Sequence, residues 1–300
     1  MKLSGKLASK NTFVKLLTWF GLILLFTIPT LFIWNKVAGP YPSVAAMKTL
    51  QAIQTFVLFI IPSLMAAWLW SDKPLSWLHM DKGMSWQTAL LVPLMMVVFV
   101  PAINMLSAMN QQVVLPDWLE ELEQMLKRQE EATDELTKMF ARADTIPQLL
   151  LNLFIMAVLP AIGEEMCFRG TCQGLFDQGT AGPYNNRLRG RTHAAIWVTA
   201  FIFSAFHFQF YGFIPRMLLG AMLGYLLCMT GSLYVPMLAH FTNNTIAVGC
   251  YYLEEKGVIN DDSIDTFGSG DTWWAGLLSL FLGCCLLWYV VRRQPSTPRP

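Results

Sequence analysis

Charge is what this sequence has least of. Only 14% of its 300 residues are charged and 54% are apolar, where a soluble domain carries about 25% charged residues. The formal net charge is +1, so there is no broad basic surface, and no nucleic-acid partner is expected. The motif His-Glu-x-x-His, used by many soluble zinc proteases, is absent. So is any Cys-x-x-Cys pair. The six cysteines, Cys167, Cys172, Cys228, Cys250, Cys284 and Cys285, read as small apolar packing residues, not as a disulfide framework or a thiolate zinc site. There is no internal repeat and no long low-complexity stretch. Only Pro295 to Pro300 reads as a tail.

What is present is a series of apolar runs of about 20 residues, the length that crosses a bilayer. The sequence predicts an all-α polytopic membrane bundle, one integral domain over residues 1–300, with about eight spans. The first follows Lys2, Lys6, Lys10 and Lys15 and runs to about Trp34. It is too long for a signal-peptide core and no small-x-small cleavage site follows it, so it reads as a retained span. The others are expected at about Val44–Trp70, Gln87–Met109, Ile146–Phe176, Ala194–Phe210, Phe213–Met229, Ser232–Leu253 and Trp273–Val291. Trp34, Trp68, Trp70, Trp77, Trp86, Trp273 and Trp274 fall near span ends, as an interfacial belt would. Gly220-x-x-x-Gly224 permits close helix packing.

Eight spans put both termini on one side. With that side inside, the inner segments hold twelve Lys/Arg, including Arg187, Arg189 and Arg191, and the outer segments hold seven. The positive-inside rule therefore places both termini in the cytosol. Of the twenty acidic residues, only Glu164 and Glu165 remain inside spans. Arg169 lies four positions beyond Glu165. A charged side chain in hydrocarbon costs about 2.5–3.5 kcal/mol even on a lenient scale, so these three require partners, water or a reaction.

Residues 116–143 form the one sizeable extramembrane element. Asp117 and Glu120 predict an N-cap with a capping box. Trp118, Leu122, Met125, Leu126, Ala132, Leu136, Met139 and Phe140 share one helical face. The expectation is an amphipathic helix resting on the bundle by that face, or a lid over the site. Its acidic polar side argues against anchoring to anionic lipid.

Of the four histidines, His79 and His193 read as loop or interfacial residues. His207 and His240 lie on apolar spans, in Phe203-Ser-Ala-Phe-His207 and His240-Phe-Thr-Asn-Asn244. Glu165 and Arg169 are one turn apart and can pair, and His240 and Asn244 share a face in the same way. Glu164 points about 100° away and is left as the free carboxylate. Pro160 has no N–H for Met156, so a loosened turn is expected just before Glu164. A free carboxylate can act as general base on water, while His and Asn stabilise an oxyanion. The set Glu164, His207 and His240 also suits a divalent metal, zinc above all, with an open position for water. The same residues could instead serve an ion- or proton-coupled transporter, or join helices in a non-catalytic immunity or binding protein.

Glu-Glu-x-x-x-Arg, then Phe-x-x-x-His, then His-x-x-x-Asn, on successive apolar helices over 146–253, resembles the CAAX-protease and bacteriocin-processing (CPBP, Abi) family. These are intramembrane proteases related to the type II prenyl-protein endopeptidase. The resemblance implies an intramembrane metalloendopeptidase acting on a membrane-associated protein or peptide, in CAAX-type processing or in bacteriocin maturation and self-immunity. Carried over by position, Glu164 activates water, Glu165 and Arg169 support it, and His207, His240 and Asn244 hold a metal or the oxyanion. It also implies a bacterial plasma membrane as the setting. One point strains it: Glu164 falls on the inner half of its span and His207 on the outer half of its own, an offset on the order of 10 Å.

Overall fold

The computed structural model describes residues 4–38, 42–177, 190–259 and 266–292, and among these all regular structure is helical. Arg187 and Arg189 lie outside the described residues. Helix α1 is Thr12–Val37, α2 Val44–Trp70 and α3 Trp86–Gln111. Each starts at a polar cap. Asn11 Oδ1 accepts from Val14 N at 3.0 Å, Ser43 Oγ from Ala46 N at 3.2 Å and Ser85 Oγ from Thr88 N at 3.2 Å. Helix α4, Glu120–Ala141, is the extramembrane element. Then come α5 Ile146–Phe176, α6 Gly190–Ala205, α7 Phe213–Thr230, α8 Tyr234–Glu255 and α9 Trp273–Arg292.

Six of these helices are long and apolar enough to cross a membrane: α1, α2, α3, α5, α7 and the segment Gly270–Arg292 that contains α9. The remaining two expected spans are α6 and α8. Helix α6 is only 16 residues long, and α8 is interrupted by His240, Thr242, Asn243, Asn244 and Thr245. The two helices that fall short as membrane spans are the ones that bring histidines to the candidate site.

Helix α5 is the centre of the bundle, in contact with α2, α6, α7 and α8. One apolar core joins α1, α2 and α5 through Trp19, Ala66, Trp70, Met166 and Phe168. A second joins α3, α7, α8 and α9 through Met95, Phe99, Leu223, Val235 and Val290. Gly220 and Gly224 do what their spacing predicts. A Cβ at Gly220 would stand 3.1 Å from Phe203 Cδ1, and one at Gly224 would stand 2.7 Å from Gln173 Oε1. The bare backbone of α7 is what lets α5 and α6 close on it.

The tryptophan belt is partly a core feature. Trp70 and Trp77 are buried and meet edge-on at 5.1 Å, whereas Trp86, Trp273 and Trp274 stay exposed. His79 is also packed in, on the short link between α2 and α3, with a backbone φ of 58°. Burial pushes its imidazole down to about 4, so it is neutral at physiological pH.

The α4 region departs from expectation twice. Asp117 opens a short 3-10 turn and makes no side-chain cap. Glu123 satisfies the chain instead, accepting from Leu115 N at 3.0 Å and pairing with Lys127 at 2.7 Å. The expected apolar face does not rest on the bundle: Trp118 is 79% exposed, and Leu122, Met125, Leu136 and Met139 are exposed too. The seam turned inward is Glu123, Leu126, Glu130, Thr133, Thr137 and Phe140, about a quarter turn away. That seam docks by polar contacts. Gln129 Nε2 donates to Phe208 O at 2.8 Å, Tyr251 Oη to Asp134 Oδ1 at 3.2 Å, and Arg142 pairs with Glu255 at 3.0 Å.

Candidate active site

Helix α5 does not run as a plain α-helix. It widens into π-helix at Phe154–Val158 and again at Glu165–Gln173. Thr171 Oγ1 donates to Met166 O, five residues back, at 3.0 Å. Wide turns of this kind occur mostly at functional positions. Pro160 sits between the two. It leaves Met156 O without its α-helical donor, and Asn244 Nδ2 of α8 donates to that oxygen at 3.3 Å. The loosened turn expected from Pro160 is therefore a docking point for α8.

Glu165 and Arg169 are fully buried and pair at 2.7 Å, Nη1 to Oε1. Arg169 Nη2 donates to Gly220 O at 3.1 Å, and its guanidinium stacks 4.3 Å over the Phe203 ring. His240 Nδ1 donates to the same Glu165 Oε1 at 2.8 Å. One buried carboxylate thus holds an arginine of α5 and an imidazole of α8. With Nδ1 as donor, a neutral His240 presents a lone pair at Nε2. That atom faces Glu164 Oε2 at 3.9 Å.

Glu164 differs from its neighbour in one decisive way. Its side chain keeps 15% exposure where Glu165 has 0%, and its Oε2 has no hydrogen-bond partner. His207 sits in the turn just beyond α6, its Nδ1 donating to Phe203 O at 2.8 Å, so its Nε2 is likewise the available nitrogen. Both imidazoles pack edge-on against Phe203, with ring centroids at 5.0 Å for His207 and 6.0 Å for His240. Phe203, with Arg169 on its face, is the element that gathers the two histidines. His193, by contrast, is tied to Tyr225 Oη at 2.7 Å on the other side of α6.

The donor chemistry suits a zinc ion: two imidazoles with Nδ1 engaged and Nε2 free, beside an unpartnered carboxylate oxygen. Their spacing is not that of a closed ligand set. Among the described residues no three His, Cys, Asp or Glu side chains gather as a metal cluster.

Sequence reasoning overlooked Arg216. It lies in the first turn of α7 and donates from Nη2 to Gln209 Oε1 at 2.7 Å, while Gln209 Nε2 reaches Glu130 Oε1 of α4 at 3.5 Å. Its Nη1 is buried without a partner. Its charge interacts with both Glu130 and Glu164. An arginine inside an apolar run was the available signal.

An all-helical membrane bundle with a buried Glu–Arg–His cluster and one wetter carboxylate is the class of protein this geometry defines. Comparison with known proteins narrows it. Residues 146–246 match the family model described as type II CAAX prenyl endopeptidase Rce1-like. That stretch runs from the start of α5 past Asn244 and includes every candidate site residue. The chain is also 32% identical over 94 residues to the uncharacterized protein YpbD of Bacillus subtilis (strain 168), covering 30% of this chain and 40% of the relative. No solved structure matches the chain.

Proposed function

We propose that this protein is an intramembrane endopeptidase that hydrolyses a peptide bond in a membrane-associated protein or peptide. The observation that carries the reading is the asymmetry of the two glutamates. Glu165 is neutralised and buried by Arg169 and His240, while Glu164 alone keeps exposure and an unpartnered oxygen beside an imidazole nitrogen. The Rce1-like match over the same residues supports it.

In this reading Glu164 takes a proton from water as the oxygen attacks the scissile carbonyl, and later gives that proton to the leaving amine. Glu165 and Arg169 position His240. The second N–H of Asn244 and the Nε2 atoms of His207 and His240 face the developing oxyanion; the imidazoles stabilise it as donors when protonated. A zinc ion, when bound, would be held by those two Nε2 atoms and Glu164, and would supply Lewis-acid polarisation of the carbonyl. The setting is a lipid bilayer, a bacterial plasma membrane with both termini cytosolic. CAAX-type processing and bacteriocin maturation or self-immunity are the substrate contexts that fit.

The test is cleavage of a quenched membrane peptide by purified protein in lipid nanodiscs, before and after chelation and zinc re-addition. Turnover by the wild type that Glu164→Gln abolishes supports the reading. Equal turnover by both proteins rejects it. Loss on chelation with recovery on zinc assigns the metal role to the histidines, and indifference to chelation leaves Glu164 as sole activator.

A further inference from the structure

A cavity of about 620 Å³ lies between α4 and the turn that follows His207, lined in part by Glu130, Glu131, Asp134, Gln209, Tyr211 and Tyr251. Its volume is in the range of small-ligand sites. Two observations give it a chemistry. The first is charge. Residues 117–141 hold eight acidic residues and three basic ones in a chain whose net charge is only +1. Glu130, Glu131 and Asp134 of that set line the cavity, and the one lysine there, Lys127, already has its ammonium on Glu123 at 2.7 Å. Asp134 is engaged by Tyr251 and Lys138. Arg216 stands behind Gln209 and turns its charge to Glu130 and Glu164.

The second is Tyr211. It lines the cavity, is 5% exposed, and its hydroxyl has no hydrogen-bond partner. A buried, unpaired hydroxyl costs roughly 1–3 kcal/mol, a cost that a bound polar group removes. Glu130 Oε2 is buried and unpaired in the same way. An acidic lining of this kind attracts a cation and repels an anion.

We propose that this cavity is a substrate-binding subsite that takes a basic stretch of polypeptide, one bearing lysine or arginine, next to the bond to be cut. Its carboxylates hold the cationic side chain and Tyr211 hydrogen-bonds the peptide backbone. Gln209, Tyr211 and Gly212 follow His207 directly in the chain, so occupancy of the subsite bears on the placement of that imidazole. The substrate class named here rests on the endopeptidase reading, but the binding does not.

The test uses full-length Glu164→Gln protein in nanodiscs of neutral lipid, with dye-labelled peptides that differ only in a Lys-Lys, Gln-Gln or Glu-Glu pair. Fluorescence anisotropy reads affinity without turnover. The Lys-Lys peptide should bind at least about tenfold more tightly than the Glu-Glu peptide. Glu130→Gln with Glu131→Gln should erase most of that preference and leave the Gln-Gln peptide unchanged, and Tyr211→Phe should weaken all three alike. Equal binding of the three peptides, or a preference that survives the double substitution, overturns the proposal. Charge-selective binding by a protein whose wild type cleaves nothing would sink the endopeptidase reading and keep the subsite. Cleavage without charge selectivity would do the reverse.

Discussion

His240 Nε2 stands 3.9 Å from Glu164 Oε2, too far for a direct hydrogen bond and close enough for one water to bond to both. The ring is held in that attitude from behind by Glu165 at 2.8 Å. This is the arrangement general-base catalysis needs: a base free to take a proton and a neighbour fixed by a group that takes no part.

Replacing Glu164 with Gln keeps the shape and removes the base. Turnover should fall by about 10²–10⁴. The midpoint of unfolding in SDS mixed micelles should stay within experimental error of wild type. A collapse of stability with no measurable turnover at any temperature would instead make Glu164 a structural residue.

The Glu165–Arg169 pair should behave in the opposite way. Both side chains are fully buried, so Arg169→Met strands a carboxylate and loses the bond to Gly220 O. Breaking a buried pair costs about 3–5 kcal/mol. A large fall in the unfolding midpoint is expected, and restoration of neutrality by Glu165→Gln in the same protein should recover part of it. A single variant as stable as wild type would show that the pair is not desolvated.

Asn244 and Pro160 should be coupled. Asn244→Ala removes the donor to Met156 O, a loss of about 1 kcal/mol. In a Pro160→Ala background the restored N–H at residue 160 can take over that oxygen. The cost of Asn244→Ala should then shrink by half or more in a double-mutant cycle. Strict additivity would mean that the contact at 3.3 Å contributes nothing.

His79 should leave a mark on the pH dependence of stability. In the folded state burial pushes it down to about 4 from an ordinary 6.5. As pH falls below 6.5 the unfolded chain binds a proton that the folded chain refuses. Stability is therefore full above 6.5, declines by up to about 3 kcal/mol as pH falls to about 4, and is flat below. Asparagine tolerates the positive φ at this position, so the difference between wild type and His79→Asn isolates the effect. A difference that does not vary with pH between 7 and 4 would contradict the burial assignment.

Much of the site was readable because hydrocarbon makes charge conspicuous. The two in-span glutamates, the i,i+4 ion pair and the unpaired neighbour follow from composition and helix period alone. Three things did not follow. The π-helical widening of α5 leaves no periodic trace, since its residues are as apolar or polar as an α-helix would need. The face by which α4 docks was misjudged because burial of apolar side chains was taken as the only docking force, whereas Glu123, Glu130 and Thr133 form the inward seam. The axial offset of His207 was counted along straight helices; α6 stops at Ala205, and His207 turns back to its own Phe203 carbonyl.

The π-helical stretch from Glu165 to Gln173 has a genetic corollary. A turn of this kind is an α-helix carrying one residue too many. Loss of a single codon between Met166 and Phe168 would let the helix close to ordinary pitch, but would swing everything after it by roughly 100°. Arg169 would leave Glu165, Gln173 would leave α7, and His240 would lose the neutral partner that fixes it. Every apolar run would survive, and so would membrane insertion. A gene copy silenced in this way would pass for an intact relative by hydropathy and span count, its reading frame unbroken.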